Sequence, residues 1–327
     1  MKTLVTGAPG WLGTRLVEIL RARERAVRCL VLPSTDRTHL EKLGAEVVLG
    51  DLSRPGSIAG IGDGVDTVFH LAGVIHPRRT RAFYNINVRG TENLLTEAVR
   101  SGADRFLLVS SNSAAGTNHS KHRMMRESDP PRPYKHYGRS KHRTEDLVNR
   151  AYAEEKIKTT IIRPCWYYGT RQPARQTTFF KMIKTGSPII FGDGSNLRSL
   201  SYLDNIVDAL LLAEEKEIAI GKTYWIADRR PYSVLEIYQT IARLLDVAEL
   251  RPRFLPSLTS TVCELADSLI QHRGFYIKEL HVAGEMTKNI TCSIDKAKKE
   301  LSYEPRIALE EGMRRSIEWC RANGVNL

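Results

Sequence analysis

Residues 5–13 read Val5-Thr6-Gly7-Ala8-Pro9-Gly10-Trp11-Leu12-Gly13, with three glycines spaced three apart near the start of the chain. Glycine tolerates a tight reversal between a strand and a helix, and it lets backbone N–H groups approach a pyrophosphate whose charge the helix N-terminus favours. The same glycines would serve a plain turn. What favours a phosphate cradle formed by Gly7, Gly10, Trp11, Leu12 and Gly13 is the setting: residues 2–6 predict a strand, and 12–22 predict a helix with apolar spacing.

Outward from this turn, short β-rich runs alternate with longer helical patterns. Strands are expected over 26–32, 47–49, 65–71, 106–110 and 159–162, and helices over 88–101 and 137–156. Such alternation builds βαβ units, so the expected fold is α/β, a Rossmann-type doubly wound parallel sheet. Past Arg163 the spacing loosens, with helices expected over 205–213, 234–245 and 309–322. The expected organisation is a nucleotide-binding domain over 1–165, with 195–225 returning to it, and a smaller interleaved substrate lobe over 166–327. No repeat or low-complexity tract interrupts the chain, and the Pro- and Arg-rich stretch 118–134 is the candidate for a long functional loop.

A composition of 42% hydrophobic and 26% charged residues excludes disorder and fibrous classes for these 327 residues. The 49 Lys and Arg against 37 Asp and Glu give a net +12, which on its own invites a polyanion partner. The excess is local, because eight Lys or Arg face two acids between His119 and Arg143. Five scattered cysteines, none spaced C-x-x-C, argue against a disulfide framework or a zinc site and fit a reducing compartment. No leader pattern or long apolar run is evident, so a soluble, cytoplasmic protein is expected.

A dinucleotide site calls for an acidic residue at the end of the second strand to hold the adenosine ribose. Leu32 occupies that place, and Ser34, Thr35, Asp36 and Arg37 follow, so the sequence leaves NAD and NADP both open. Asp51-Leu52 and Leu71-Ala72-Gly73 stand at strand ends, where ligands bind in open α/β sheets. Tyr137 and Lys141 are four apart on one helix face, and a nearby cation favours the phenolate that proton transfer requires. A serine cluster, Ser110-Ser111-Asn112-Ser113, closes the preceding strand and offers hydroxyls to a substrate oxygen.

These residues resemble the extended short-chain dehydrogenase/reductases of the NAD(P)-dependent epimerase/dehydratase family. The resemblance is carried by Gly7/Gly10/Gly13, Asp51-Leu52, His70-Leu-Ala-Gly73, Asn87-Val-Arg-Gly-Thr91, Ser110-Ser111 and Tyr137-x-x-x-Lys141. It continues through Arg163-Pro164, Tyr168-Gly169, Gly192-Asp-Gly194 with Arg198, and Tyr202-Leu-Asp204, and it returns from Ser293 to Trp319. It implies a nicotinamide cofactor, NAD slightly ahead of NADP, lying along the strand ends with Pro164 beside the carboxamide. It further implies Tyr137 as acid/base, Lys141 on the ribose, and Ser111 as the catalytic hydroxyl, five residues before Gly116, with Ser113 as the alternative. Arg198 resembles the arginine that meets a substrate diphosphate, and a homodimer through residues 91–99 and 141–152 is implied.

Three departures bear on the substrate. Ala114-Ala115-Gly116 stands where nucleotide-sugar epimerases usually carry Val-Tyr-Gly, Leu32 replaces the ribose acid, and no Glu follows the serines as a dehydratase needs. The expected activity is epimerisation or oxidoreduction of a nucleoside-diphosphate-sugar. The alternatives are a ketone or hydroxysteroid-type reductase and, from another class, a non-catalytic NAD(P)-sensing module. Basic residues at His76–Arg81, at Arg171, Arg175, Lys181 and Lys184, and at Arg198 are expected to rim the cleft for a small anionic substrate, with no metal, nucleic acid or membrane involved. Residues 252–290 match no motif and are expected to shape the substrate lobe.

Overall fold

The computed structural model describes residues 1–118, 120 and 122–327. The first half alternates as the apolar pattern dictates: β1 (Lys2–Thr6), α1 (Trp11–Ala22), β2 (Ala26–Val31), α2 (Thr38–Lys42), β3 (Glu46–Leu49), β4 (Thr67–His70), α3 (Gly90–Arg100), β5 (Arg105–Val109), α4 (Asn112–Ala115), α5 (Lys135–Ala153) and β6 (Lys158–Pro164). The second half carries β7 (Trp166–Tyr168), α6 (Ala174–Lys184), β8 (Ile189–Phe191), β9 (Leu197–Arg198), β10 (Leu200–Tyr202), α7 (Leu203–Glu215) and β11 (Lys222–Ile226). It ends with β12 (Tyr232–Ser233), α8 (Val234–Leu244), β13 (Arg253–Leu255), α9 (Ser257–His272), α10 (Lys278–Glu285), α11 (Asp295–Leu301) and α12 (Leu309–Ala322).

Seven strands form one parallel sheet in the order β11-β6-β5-β4-β1-β2-β3. The strands other than the edge strand β3 are largely buried on both faces, as a parallel sheet covered by crossover helices requires. In β1, Val5 enters the apolar cluster with α1, α7 and α11, while Leu4 enters the opposite one with α3 and α5. In β4, Phe69 and Val68 divide the same way. Because β1 is flanked by β2 on one side and β4 on the other, the chain reverses its direction of progress there. The crevice beyond the strand ends at such a switch point is where open α/β sheets bind ligands.

Three placements differ from the sequence pattern. The helix expected over 88–101 begins at Gly90, and a π-helical segment, Phe83–Arg89, leads into it. The helix carrying Tyr137 begins two residues earlier, at Lys135, which puts Tyr137 in its first turn. Both α7 and β11 rejoin the sheet, and so does α11, whose Ala297 and Leu301 pack with Leu16 and Val207. A separate apolar cluster joins α6, α8 and α12 through Phe180, Ile183, Ile237, Ile241, Met313 and Ile317. The stretch 118–134 is irregular but anchored. Met125 N donates to Thr291 O at 2.9 Å, Arg132 N to Ala115 O at 2.9 Å and Tyr134 N to Ser113 O at 3.0 Å, while His119 and Lys121 lie outside the described residues.

Candidate active site

The glycine turn packs tightly enough to exclude side chains. Gly7 has φ +88°, and a Cβ there would lie 2.7 Å from Ala72 N and from Leu71 C; at Gly10 and Gly13 a Cβ would lie 2.5 Å from Gly7 O. Helix α1 opens with neither a capping side chain nor an acid in its first turn, so its N-terminal dipole is available to an anion. Thr6 Oγ1 ties the ends of β1 and β4 together, lying 2.8 Å from His70 Nδ1 and accepting from Ala72 N at 3.3 Å. His70 Nε2 lies 2.7 Å from Thr91 Oγ1, and burial drives this imidazole down to about 3, so it stays neutral and acts as a spacer.

Asn87 closes the turn after β4. Its Oδ1 accepts from Val74 N at 2.8 Å, and its amide donates to Val74 O at 3.1 Å and to Ser140 Oγ at 3.0 Å, which links that turn to the Tyr137 helix. Leu52 is buried against Gly90, while Asp51 is partly exposed and accepts from Ser53 N and Ser53 Oγ. Leu32 is 49% exposed, the Asp36 carboxylate accepts from Thr38 N, and Arg37 pairs with Glu41. Neither Asp36 nor Arg37 decides the cofactor's ribose chemistry from these contacts.

The three residues expected to do chemistry meet at the ends of β5 and α5. Ser111 is the N-cap of α4, its Oγ accepting from Ser113 N at 3.2 Å. Gly138 brings α5 onto this turn, since a Cβ there would sit 2.2 Å from Ser113 O. Burial raises the Tyr137 phenol, and a hydrogen bond with Ser111 opposes that rise. Lys141 is buried one helical turn further on, its Nζ donating to Val109 O at 2.8 Å, and burial lowers its ammonium to about 8. Below it, desolvation of Glu145 is overcome by Arg163, which donates to both carboxylate oxygens at 2.8 and 2.5 Å and holds the acid at about 2. The Glu145 carboxylate, four residues from Lys141, favours that lysine's charge.

Beyond Tyr137 the site is aromatic. Its ring lies 5.8 Å from Phe83, Phe83 lies edge-on to Tyr276 at 5.4 Å, and Tyr276 OH lies 2.9 Å from His76 Nδ1. Burial, Arg175 and neighbouring cations push His76 down to about 4. Arg175 exerts its field on Tyr137, Tyr167 and His76 together, and desolvation lowers its own pKa. Pro164 ends β6, and the next residue, Cys165, is buried with its Sγ 3.5 Å from Cys292 Sγ. That neighbouring sulfur and burial push the thiol well up, the behaviour of a small apolar side chain.

The expected basic rim is only partly formed. Arg171 pairs with Glu18 at 2.9 Å, Lys184 Nζ donates to Leu327 O, and Arg79 lies 3.8 Å over the Phe275 ring. Arg198 is half-buried in the second lobe, donating to Glu285 O, and among the described residues no carboxylate pairs with it. Arg175, expected on the cleft rim, lies close enough to act on the Tyr137 phenol, whereas Phe83 and Gly138 carried no functional expectation. The Tyr-Gly pair was a usable signal for Gly138, whereas Phe83 reaches the site through a long connection. Among the described residues no group of three or more His, Cys, Asp or Glu could hold a metal, and no helix is long and apolar enough to cross a membrane.

A doubly wound sheet, a side-chain-free turn at its switch point and a Ser-Tyr-Lys set at the neighbouring strand end define a nucleotide-binding oxidoreductase class. Residues 3–227 match the model of the NAD dependent epimerase/dehydratase family, and the chain belongs to that family of enzymes. It is 39% identical to the protein y4nL of Sinorhizobium fredii over 98% of this chain and 95% of that one. It is 28% identical to the N-acetyl-alpha-D-glucosaminyl-diphospho-ditrans,octacis-undecaprenol 4-epimerase of Escherichia coli O157:H7 over 74% of this chain and 72% of that one. It is 27% identical to a 4-hydroxy-2-methyl-3-oxo-4-farnesyl-3,4-dihydroquinoline-1-oxide ketoreductase of Stigmatella aurantiaca, over 96% and 95%. The solved UDP-glucose 4-epimerase of Thermotoga maritima shares the fold, with TM-score 0.80, 24% identity and 99% of both chains covered.

Proposed function

We propose that this enzyme transfers hydride at a secondary alcohol or ketone carbon of a diphosphate-linked sugar, using NAD or NADP, with Tyr137 as the acid/base. The observation that carries the chemistry is the buried Lys141 ammonium, one turn from Tyr137 and fixed by the Val109 carbonyl at 2.8 Å. A bound nicotinamide supplies the hydride acceptor and donor. Gly7, Gly10 and Gly13 with the uncapped start of α1 suit its pyrophosphate, because that surface is bare backbone N–H at a positive helix end. Asp51, Leu52, Leu71, Ala72, Gly73 and Pro164 would line the rest of its path at the strand ends. Ser111 hydrogen-bonds the substrate oxygen, and Tyr137 takes its proton as the carbonyl forms and returns it on reduction. Burial raises the phenol, the Ser111 hydrogen bond and the Arg175 field oppose that rise, and a charged Lys141 one turn away would favour the phenolate further.

Arg198 supports an anionic substrate. A desolvated guanidinium that meets a backbone carbonyl and no carboxylate among the described residues is poised to take a diphosphate. Ser113 would sit on the sugar side of Ser111. The aromatic wall of Phe83, Tyr167 and Tyr276, and Ala114-Ala115 behind the serines, favour a second reading in which the substrate is an apolar ketone or hydroxysteroid-type alcohol. The ketoreductase relative is consistent with that reading. Division of labour follows the packing, with the sheet and the elements that rejoin it holding cofactor, the cluster of α6, α8 and α12 with the rest of the second half holding substrate, and α3 with α5 as the homodimer surface.

Differential melting against NAD, NADP, a nucleotide-sugar panel and apolar ketones tests these readings, because selective native-state binding raises apparent stability. A shift with a nicotinamide nucleotide together with a nucleotide-sugar, abolished for the sugar by Arg198→Ala, supports the first reading. A shift with apolar ketones that Arg198→Ala leaves intact supports the second. No shift with either nicotinamide nucleotide overturns both.

A further inference from the structure

Helix α9 is amphipathic in the inverted sense. Leu258, Val262, Leu265 and Leu269 recur at helical spacing, which in a water-soluble protein marks the face turned to the core. Here they are 57–69% exposed, and the buried positions are Ser260, Asp267 and Gln271. Those inner side chains are satisfied by polar contacts: Ser260 Oγ donates to Ala283 O at 2.7 Å, Gln271 Nε2 donates to both Asp267 oxygens, and His281 Nδ1 lies 3.0 Å from Asp267 Oδ2. Glu264 pairs with Lys288 at 2.8 Å. The helix is therefore fixed in this orientation, with its apolar stripe outward. Phe254 before it, Phe275 and Ile277 after it and Val282 on the packed neighbour α10 are also 40% or more exposed.

We propose that α9 and its flanks lie on the surface of an anionic lipid bilayer. An extended apolar face marks an interaction site, and the charges around this one select the occupant. Arg251 and Arg253 precede the helix, Arg273 and Lys278 follow it, and Arg78 and Arg79 join the same end, where Tyr276 N donates to Arg78 O and Arg79 stacks on Phe275. The acids in these flanks are Glu249, paired with Arg251, and Glu279. A second copy docked here about a two-fold axis would set these arginines against one another, whereas anionic headgroups would pair with them. At 16 residues α9 is about 24 Å long, shorter than the roughly 30 Å hydrocarbon core, so it lies in the interface plane with its stripe in the acyl boundary. Its inner face seats on the start of the Tyr137 helix, where Tyr134 OH donates to Glu264 Oε1 at 3.2 Å, so the bilayer would abut the substrate side of the molecule.

The test is co-sedimentation of the full chain with vesicles of phosphatidylglycerol and phosphatidylcholine, and with phosphatidylcholine alone, alongside its mass in solution. Binding to the mixed vesicles is expected, falling by about tenfold in the Leu265→Gln, Leu269→Gln double variant while melting temperature and mass stay unchanged. Adhesion of a basic protein by charge alone would survive those substitutions, and that result overturns the proposal. Absence of binding to mixed vesicles overturns it as well, as does a wild-type dimer that the double variant converts to monomer.

Discussion

In β1 the neighbours Leu4 and Val5 point to opposite sides of the sheet and both are buried; in α9 the neighbours Leu265 and Asp267 also divide between two faces, but the leucine faces out and the aspartate in. Both regions obey the periodicity of their element. They differ in what lies on each side, and the difference teaches that period fixes which residues share a face while the surroundings decide which face is inside. At the strand ends buried polar groups such as His70 between Thr6 and Thr91, and Arg163 on Glu145, brace the candidate site from behind. Under α9 they form a continuous network that positions the wall of the site without touching the reacting centre.

The largest effect that could break this contrast is at the strand ends. Tyr137→Phe is expected to lower turnover by about 10³-fold with cofactor affinity changed less than about threefold. Turnover within a few-fold of wild type, measured alongside a cofactor titration, would move the chemistry elsewhere. Next comes the polar underside of α9. Asp267→Ala removes the partner of both Gln271 and His281 in a buried setting and is expected to cost about 3 kcal/mol in urea unfolding, so a loss under about 1 kcal/mol would show the network to be dispensable. Gly7→Ala is expected to cost about 2 kcal/mol and to weaken cofactor binding, because the new Cβ meets backbone that cannot move aside.

A smaller, pH-dependent effect sharpens the role of Lys141. Burial lowers its ammonium from the usual lysine value to about 8. Between about pH 8 and 10.5 the folded form has released this proton while the unfolded chain retains it, so this residue's contribution makes stability rise with pH across that window. Over the same window the cation that supports the Tyr137 phenolate is lost, and turnover should fall above about pH 8. Lys141→Met should flatten the stability contribution, and a stability profile identical to wild type between pH 8 and 10 would refute the assignment. The smallest expected effect is at the outer stripe, where Leu265→Gln should leave unfolding stability within about 0.5 kcal/mol, the opposite of Asp267→Ala on the same helix.

The parallel sheet, its crossover helices and the glycine turn were legible because each is a local pattern: buried two-sided strands, 3.6-residue spacing, and glycines where φ and close packing admit little else. The Tyr137 and Lys141 pair and the serine cluster were legible from spacing and strand-end position, while the choice of Ser111 within that cluster rested on the family resemblance. The basic rim was not, because a charge run does not say where its partners fold: Arg171 finds Glu18 and Lys184 finds the chain's last carbonyl, both from distant segments. Residues 252–290 were opaque for a related reason. The apolar stripe of α9 is visible in the sequence, but a stripe facing lipid and a stripe facing a core have the same period.

By itself the sequence determined the fold class, the glycine turn and the candidate groups for proton transfer, because backbone sterics and local periodicity need no distant partner. Tertiary structure decided the depth at which Lys141 sits, the placement of Arg198 beside the Glu285 carbonyl and the outward turn of α9. Those outcomes depend on desolvation and on hydrogen-bond partners supplied from remote parts of the chain, and only packing can set them.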